Sequence, residues 1–165
     1  AVIVFSVLLA SLSYAPWVPA RSRDLERILT LAKLVPGERF LDLGCGDGRV
    51  VRAAAARGAR AVGIELSLPL FGVAALRTLG SGGAARITFG DLFATDLGNA
   101  DVIYCYGMPR PLAKRLAKKG IAEARVGTRV VSYAFPIAGL VPVAIDQPAG
   151  EIPLFLYVME GRVVG

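Results

Sequence analysis

An α/β fold is predicted, doubly wound around a mostly parallel seven-stranded sheet whose last strand runs antiparallel. Three observations predict it. Short β-rich apolar runs alternate with helical stretches from Arg39 onward, the pattern of parallel strands joined by crossover helices. A glycine-rich turn, Asp42-Leu43-Gly44-Cys45-Gly46-Asp47-Gly48, joins the first strand directly to the next helix. The final two β-rich runs lie close enough in sequence to pair antiparallel.

The elements follow in order. Ala1–Tyr14 reads AVIVFSVLLASLSY, and no charge occurs before Arg21. This leader is shorter than the roughly 20 residues that a helical span needs. It reads as a membrane anchor, with a buried helix or a signal peptide as the alternatives. Arg21, Arg23 and Arg27 follow at once, which by the positive-inside rule places the domain on the cytoplasmic side of a membrane. Pro16-Trp17-Val18-Pro19 is too stiff for regular helix. Residues 1–20 are therefore a hydrophobic segment with its linker, and residues 21–165 are the domain. Ser22 is expected to cap a helix whose apolar positions Leu25, Ile28, Leu29 and Leu31 to Leu34 keep helical spacing. Pro36-Gly37 ends that helix.

Strands are then expected at Arg39–Leu43, Ala61–Ile64, Ile87–Phe89, Val102–Cys105, Thr128–Tyr133, Val141–Ile145 and Leu154–Met159. Helices are expected at Arg49–Arg57, from about Pro69 to Leu79, and at Pro111–Lys119.

Composition narrows the chemistry. Nineteen Lys and Arg against thirteen Asp and Glu give a net charge of +6, suited to an anionic membrane, an acidic protein surface or nucleic acid. Aromatic residues are not interleaved with the basic ones, so nucleic acid is not expected as a partner. The two cysteines, Cys45 and Cys105, sit in apolar runs, and the chain has no histidine. No zinc-ligand spacing exists, no metal is expected, and the commonest general base is missing.

The glycine loop carries the strongest signal. Alternating glycines Gly44, Gly46 and Gly48 let the backbone turn tightly and leave room for a ligand beside it. A dinucleotide-binding loop would place a third glycine where Arg49 stands. Asp42, two residues before the first glycine, suits a cationic ligand better than a pyrophosphate. Glu65 ends the next strand, where an acid accepts hydrogen bonds from both ribose hydroxyls. Asp91 follows the third strand, placed to accept from an adenine amine, with Leu92 and Phe93 flanking the ring. The three motifs in this order point to S-adenosylmethionine (SAM) on a Rossmann-like sheet.

The DLGCGDGR loop, GIE and GDLF segments resemble those of class I SAM-dependent methyltransferases. Three further segments, PWVPARSRDLERIL, DVIYCYGMP and TRVVSYAFP, resemble the small lysine methyltransferases of the adenine nucleotide translocase and the ATP synthase c-subunit, with their prokaryotic relatives. The resemblance runs from about Pro16 to Tyr157. It implies a class I methyltransferase fold and N-methylation of a protein lysine, with a membrane protein as a candidate substrate. It implies Asp42, Gly44, Cys45, Gly46, Gly48, Glu65, Leu66, Asp91 and Leu92 as the cofactor-binding set, and S-adenosylhomocysteine as the product. A lipid or small-molecule acceptor, or a membrane-tethered SAM-binding module without catalysis, are the alternatives.

Methyl transfer from a sulfonium needs mainly alignment and desolvation. A lysine must first lose a proton, at about 4.6 kcal/mol at pH 7, and burial in an apolar channel offsets part of that. Trp17, Tyr104, Tyr106 and Pro109 are the channel candidates, with core packing as the alternative for each. Tyr106 is the preferred acceptor-side residue. Arg110, Lys114, Arg115, Lys118 and Lys119 share a helix, as a solvated face or a contact for anionic lipid or an acidic partner.

Overall fold

The computed structural model describes residues 19–106 and 110–160; the apolar leader, Trp17 and Pro109 lie outside them. Seven strands form one sheet: β1 (Arg39–Leu43), β2 (Arg60–Glu65), β3 (Ala85–Phe89), β4 (Val102–Tyr106), β5 (Arg129–Tyr133), β6 (Ala144–Asp146) and β7 (Leu154–Val158). Their spatial order is β3-β2-β1-β4-β5-β7-β6. β1 to β5 pair in parallel, and β7 runs antiparallel to both β5 and β6. The predicted fold class and the antiparallel last strand are both present.

Alternation along the strands sorts side chains onto two faces. Phe40, Ala61, Val102, Val131, Tyr133 and Leu154 meet α1 (Leu25–Leu31) and α2 (Arg49–Ala56) on one face. α3 (Leu68–Thr78) lies on that face too, with its buried Ala74 against the glycine loop. Leu41, Leu43, Ile64, Ile103, Cys105, Val130 and Tyr157 form the opposite core with Leu116 and Ala117 of α4 (Arg110–Glu123). The segment after β5 closes over this second face. Its Ile137 amide donates to the Tyr157 hydroxyl at 2.8 Å, and both residues are buried.

Three expectations are corrected. Ser22 does not cap the first helix: Ser22–Asp24 form a 3-10 turn, and α1 begins at Leu25 without a side-chain cap. Asp24 stands at the capping position, but its carboxylate binds Tyr133 and Arg27 instead. α4 extends to Glu123 rather than Lys119, and a Lys119–Glu123 ion pair at i, i+4 supports its last turn. β6 is shorter than expected and starts at Ala144. Pro142 has no amide to give the ladder, so pairing with β7 opens at Val143, whose amide donates to the Leu156 carbonyl at 2.7 Å.

Candidate cofactor and acceptor site

The carboxyl ends of β1, β2 and β3 stand side by side, so Asp42, Glu65 and Asp91 converge on one edge of the sheet. The glycine loop leaves β1 there. Gly44, Gly46 and Gly48 all adopt positive φ, at 81°, 56° and 75°, where a side chain would be strained. The amides of Gly44 and Cys45 both donate to the Ile64 carbonyl at 2.9 Å, tying the loop to β2. Beneath the turn, a Cβ at Gly63 would lie 2.6 Å from the Cys45 Sγ and 2.8 Å from Val51 Cγ2. The loop therefore rests directly on the β2 backbone.

Glu65 joins the three motifs. Its Oε2 accepts from the Gly46 amide at 2.8 Å and its Oε1 from the Ser67 amide at 2.7 Å. Its own carbonyl accepts from the Gly90 amide at 3.0 Å, drawing in the turn that carries Asp91. A carboxylate has about four acceptor sites, so capacity remains for ribose hydroxyls. Burial pushes the Glu65 carboxyl above its ordinary value, against the opposing pull of the Ser67, Gly46 and Leu66 amides.

Asp42 differs. It is 1% exposed, and neither carboxylate oxygen has a hydrogen-bond partner among the described residues. Burial first, then the nearby charges of Glu65 and Asp47, drive its pKa well above the ordinary range. An unpaired buried carboxylate is costly, and a cation beside it removes that cost. The ammonium of SAM's methionine tail has the matching chemistry, so the residues present fit this cofactor.

Asp91 begins a turn in which its Oδ1 accepts from the Phe93 amide at 2.8 Å. The side chains of Leu92 and Phe93 join the second core, and the Arg115 guanidinium lies 4.0 Å above the Phe93 ring. Half-buried Leu66 is the apolar residue beside Glu65. Cys45 is buried, and its thiol is pushed up by burial and by the charges of Asp42 and Glu65. It stays a thiol under the turn.

Asp47, absent from the residues that the motifs single out, locks the loop. Arg49 donates to both its oxygens and Arg77 of α3 pairs with it. Burial acts against ionisation, yet these arginines hold its carboxyl below the ordinary value. Arg49 Nη1 also donates to the Ala20 carbonyl at 2.9 Å, joining the loop to the N-terminal arm. The i, i+2 spacing of Asp47 and Arg49 in GDGR was the available signal.

On the acceptor side, Tyr104 and Tyr106 project from β4 toward the face that carries α1. Tyr104 is 2% exposed, and its hydroxyl has no partner among the described residues. Tyr106 is half-buried and stacks on Tyr133, ring centroids 4.8 Å apart. The Tyr133 hydroxyl donates to Asp24 Oδ2 at 2.6 Å, and Arg27 holds Asp24 Oδ1 at 2.8 Å and Asp146 Oδ2 at 2.9 Å. Arg21 and Arg23 pair with Glu151. The arginines that follow the leader thus fasten the N-terminal arm to the β6–β7 connection. Among the described residues there is no metal-ligating cluster, and no helix is long and apolar enough to cross a membrane.

Known proteins are similar to this chain in sequence and in fold. The model of the ANTKMT methyltransferase domain matches residues 42–144. A protein-lysine N-methyltransferase of Saccharolobus islandicus is 31% identical over 88% of this chain and 94% of its own length. Two mouse proteins are similar. An adenine nucleotide translocase lysine N-methyltransferase is 38% identical over 79% of this chain, and a lysine N-methyltransferase of the ATP synthase c-subunit is 33% identical over 82%. The chain spans only 57% and 54% of their lengths. The structure of an RNA methyltransferase from Salinibacter ruber, in complex with S-adenosyl-L-homocysteine, superposes with a TM-score of 0.81 at 30% identity, covering 88% of this chain and 96% of that one.

Proposed function

The chain belongs to the ANTKMT methyltransferase family and is a SAM-dependent methyltransferase, and from that premise we propose that it methylates the side-chain amine of a lysine on a protein, a membrane protein being the favoured substrate. One observation carries the reading of the site: Asp42, Glu65 and Asp91 meet at three adjacent strand ends around the glycine loop. In this reading Asp42 takes the cationic tail, Glu65 the ribose, and Asp91 the adenine amine. Gly44, Cys45, Gly46 and Gly48 shape the backbone cradle, and Leu66 and Leu92 supply apolar support. The relatives named as lysine methyltransferases support the acceptor class.

The cofactor supplies a methyl group already activated on a sulfonium. What remains for the chain is to present an uncharged amine in line with it and exclude water. Tyr106 suits that task. Burial raises its phenol above the ordinary value, against a lowering by Arg21, so it stays neutral at pH 7. It offers a ring face and a hydroxyl to an incoming ammonium but is no base. Deprotonation then falls to the desolvated environment of the amine itself. Trp17, another acceptor-side candidate from the sequence, lies outside the described residues.

The apolar leader anchors the enzyme at the cytoplasmic face of a membrane in this proposal, with the exposed Lys114, Arg115 and Lys118 of α4 suited to anionic headgroups. Arg27 is not free to bind lipid, because Asp24 and Asp146 already hold it.

The experiment is incubation with methyl-labelled SAM and a membrane fraction, followed by mass spectrometry of the labelled species. Label on a lysine of an integral membrane protein is expected. The Salinibacter enzyme's substrate class and the net charge of +6 favour one second reading, RNA. Label that resists protease but is released by ribonuclease would replace the lysine reading with it.

A further inference from the structure

Tyr104 and Asp42 face each other across the β1–β4 ladder, and both are polar, sealed and unsatisfied. The register pairs Asp42 with Tyr104 on one side and with Gly63 on the other. In-register residues of parallel neighbours point to the same face, so the row reads Gly63, Asp42, Tyr104 under the glycine loop. The Tyr104 hydroxyl and both Asp42 oxygens have no hydrogen-bond partner among the described residues. Leaving such a group unsatisfied is costly, and two in adjacent positions call for one common explanation.

The surrounding groups do not supply it. The hydroxyl of neighbouring Tyr133 is committed to Asp24. Arg49 and Arg77, the arginines at the loop, are held on Asp47. Neither loop guanidinium is therefore free to receive an anionic group beside Asp42. The two orphans are complementary in kind: an ionised carboxylate only accepts, and a phenol hydroxyl can donate. Side by side they match a zwitterion, an ammonium next to a carboxylate.

We propose that Tyr104 binds the α-carboxylate of the cofactor's methionine tail through its hydroxyl, while Asp42 takes the adjacent α-ammonium. This rests on the cofactor assignment above and moves Tyr104 from the acceptor side to the cofactor side. The two-point hold fixes the rotation of the tail and so the direction in which the sulfonium presents its methyl group. Tyr106, two residues on along β4, remains for the acceptor.

The test is calorimetric binding of three ligands to the wild-type protein and to Tyr104→Phe. S-adenosylhomocysteine carries the whole tail, its decarboxylated analogue lacks the α-carboxylate, and 5′-methylthioadenosine lacks the tail altogether. S-adenosylhomocysteine should bind Tyr104→Phe about tenfold more weakly, as expected for one hydrogen bond to a charged group. The other two ligands should bind both proteins alike. A thermal melt of the ligand-free variant gives a second readout, because deleting an unsatisfied hydroxyl should leave the melting temperature equal or higher. Equal affinity of both proteins for S-adenosylhomocysteine overturns the assignment. So does a parallel loss for all three ligands, or a melting temperature lowered as for a core variant. A wild-type protein that binds none of the three refutes the cofactor reading itself, and Tyr104's role with it.

Discussion

Asp24 and Asp42 are both sealed from solvent, at 0% and 1% exposure, yet they have opposite surroundings. Asp24 has both oxygens satisfied, by the Tyr133 hydroxyl and the Arg27 guanidinium. Burial alone would raise its carboxyl, but these partners hold it below the ordinary value. Asp42 has no partner among the described residues, and burial with the charges of Glu65 and Asp47 raises it. A satisfied buried carboxylate is part of the architecture, here fastening the N-terminal arm to β5 and the β6–β7 connection. An unsatisfied one is set for a partner that no described residue supplies. The same residue type, equally buried, serves stability in one place and, in the proposed function, ligand binding in the other.

The sharpest attempt to break this contrast is Arg27→Ala. It strips a buried carboxylate of its cation, and the expected loss is about 3 kcal/mol of stability, on the order of 10 °C in melting temperature. Affinity for S-adenosylhomocysteine in the folded fraction should stay within a few-fold of wild type. A variant that melts normally would show the strap to be ornamental. Next comes Asp42→Asn, where binding should fall by roughly 2–3 kcal/mol, about 30- to 150-fold, while the ligand-free protein melts no lower than wild type. Calorimetry and a melt together read both quantities; a large drop in melting temperature would place Asp42 with Asp24.

Gly63→Ala probes the support under the loop. Its Cβ would overlap Cys45 and Val51, so about 1–3 kcal/mol of stability should be lost, with weaker cofactor binding because the turn is displaced. Unchanged binding would mean that the cradle tolerates movement. The two acids should also respond to pH with opposite signs. Asp24's folded pKa is lowered, so its stabilisation is present above the ordinary carboxylate range and disappears as pH falls through the folded value. Asp42's folded pKa is raised, so the ligand-free protein gains stability as pH falls through that value. Binding of a cationic tail needs Asp42 ionised, so S-adenosylhomocysteine affinity should weaken over that same fall. Calorimetry in buffers of different ionisation enthalpy should detect proton release on binding, abolished in Asp42→Asn; absence of release in the wild type would contradict this linkage. The smallest effect is expected from Tyr133→Phe, about 1 kcal/mol, since Arg27 still satisfies one oxygen of Asp24. Denaturant unfolding would measure it.

Most of what local pattern governs was legible in the chain of residues. Strand–helix alternation placed the parallel strands to within about two residues, because hydrophobic period and turn residues are local properties. The positive φ angles that the turn requires are written as glycines, and the acids at strand ends follow the loop in chain order. Which polar groups meet was settled by folding alone. Tyr133 and Asp24 lie 109 residues apart, and Arg27 and Asp146 lie 119 apart. No spacing rule reaches that far, so the ion pairs that Arg21 and Arg23 make with Glu151, and Arg27 with Asp146, could not be read from the sequence. Ser22, a good cap by residue type, gave way to Asp24 because the chain enters α1 through a 3-10 turn. The difference between Asp24 and Asp42 is likewise invisible in residue type, since it depends on whether a distant partner arrives beside a buried charge.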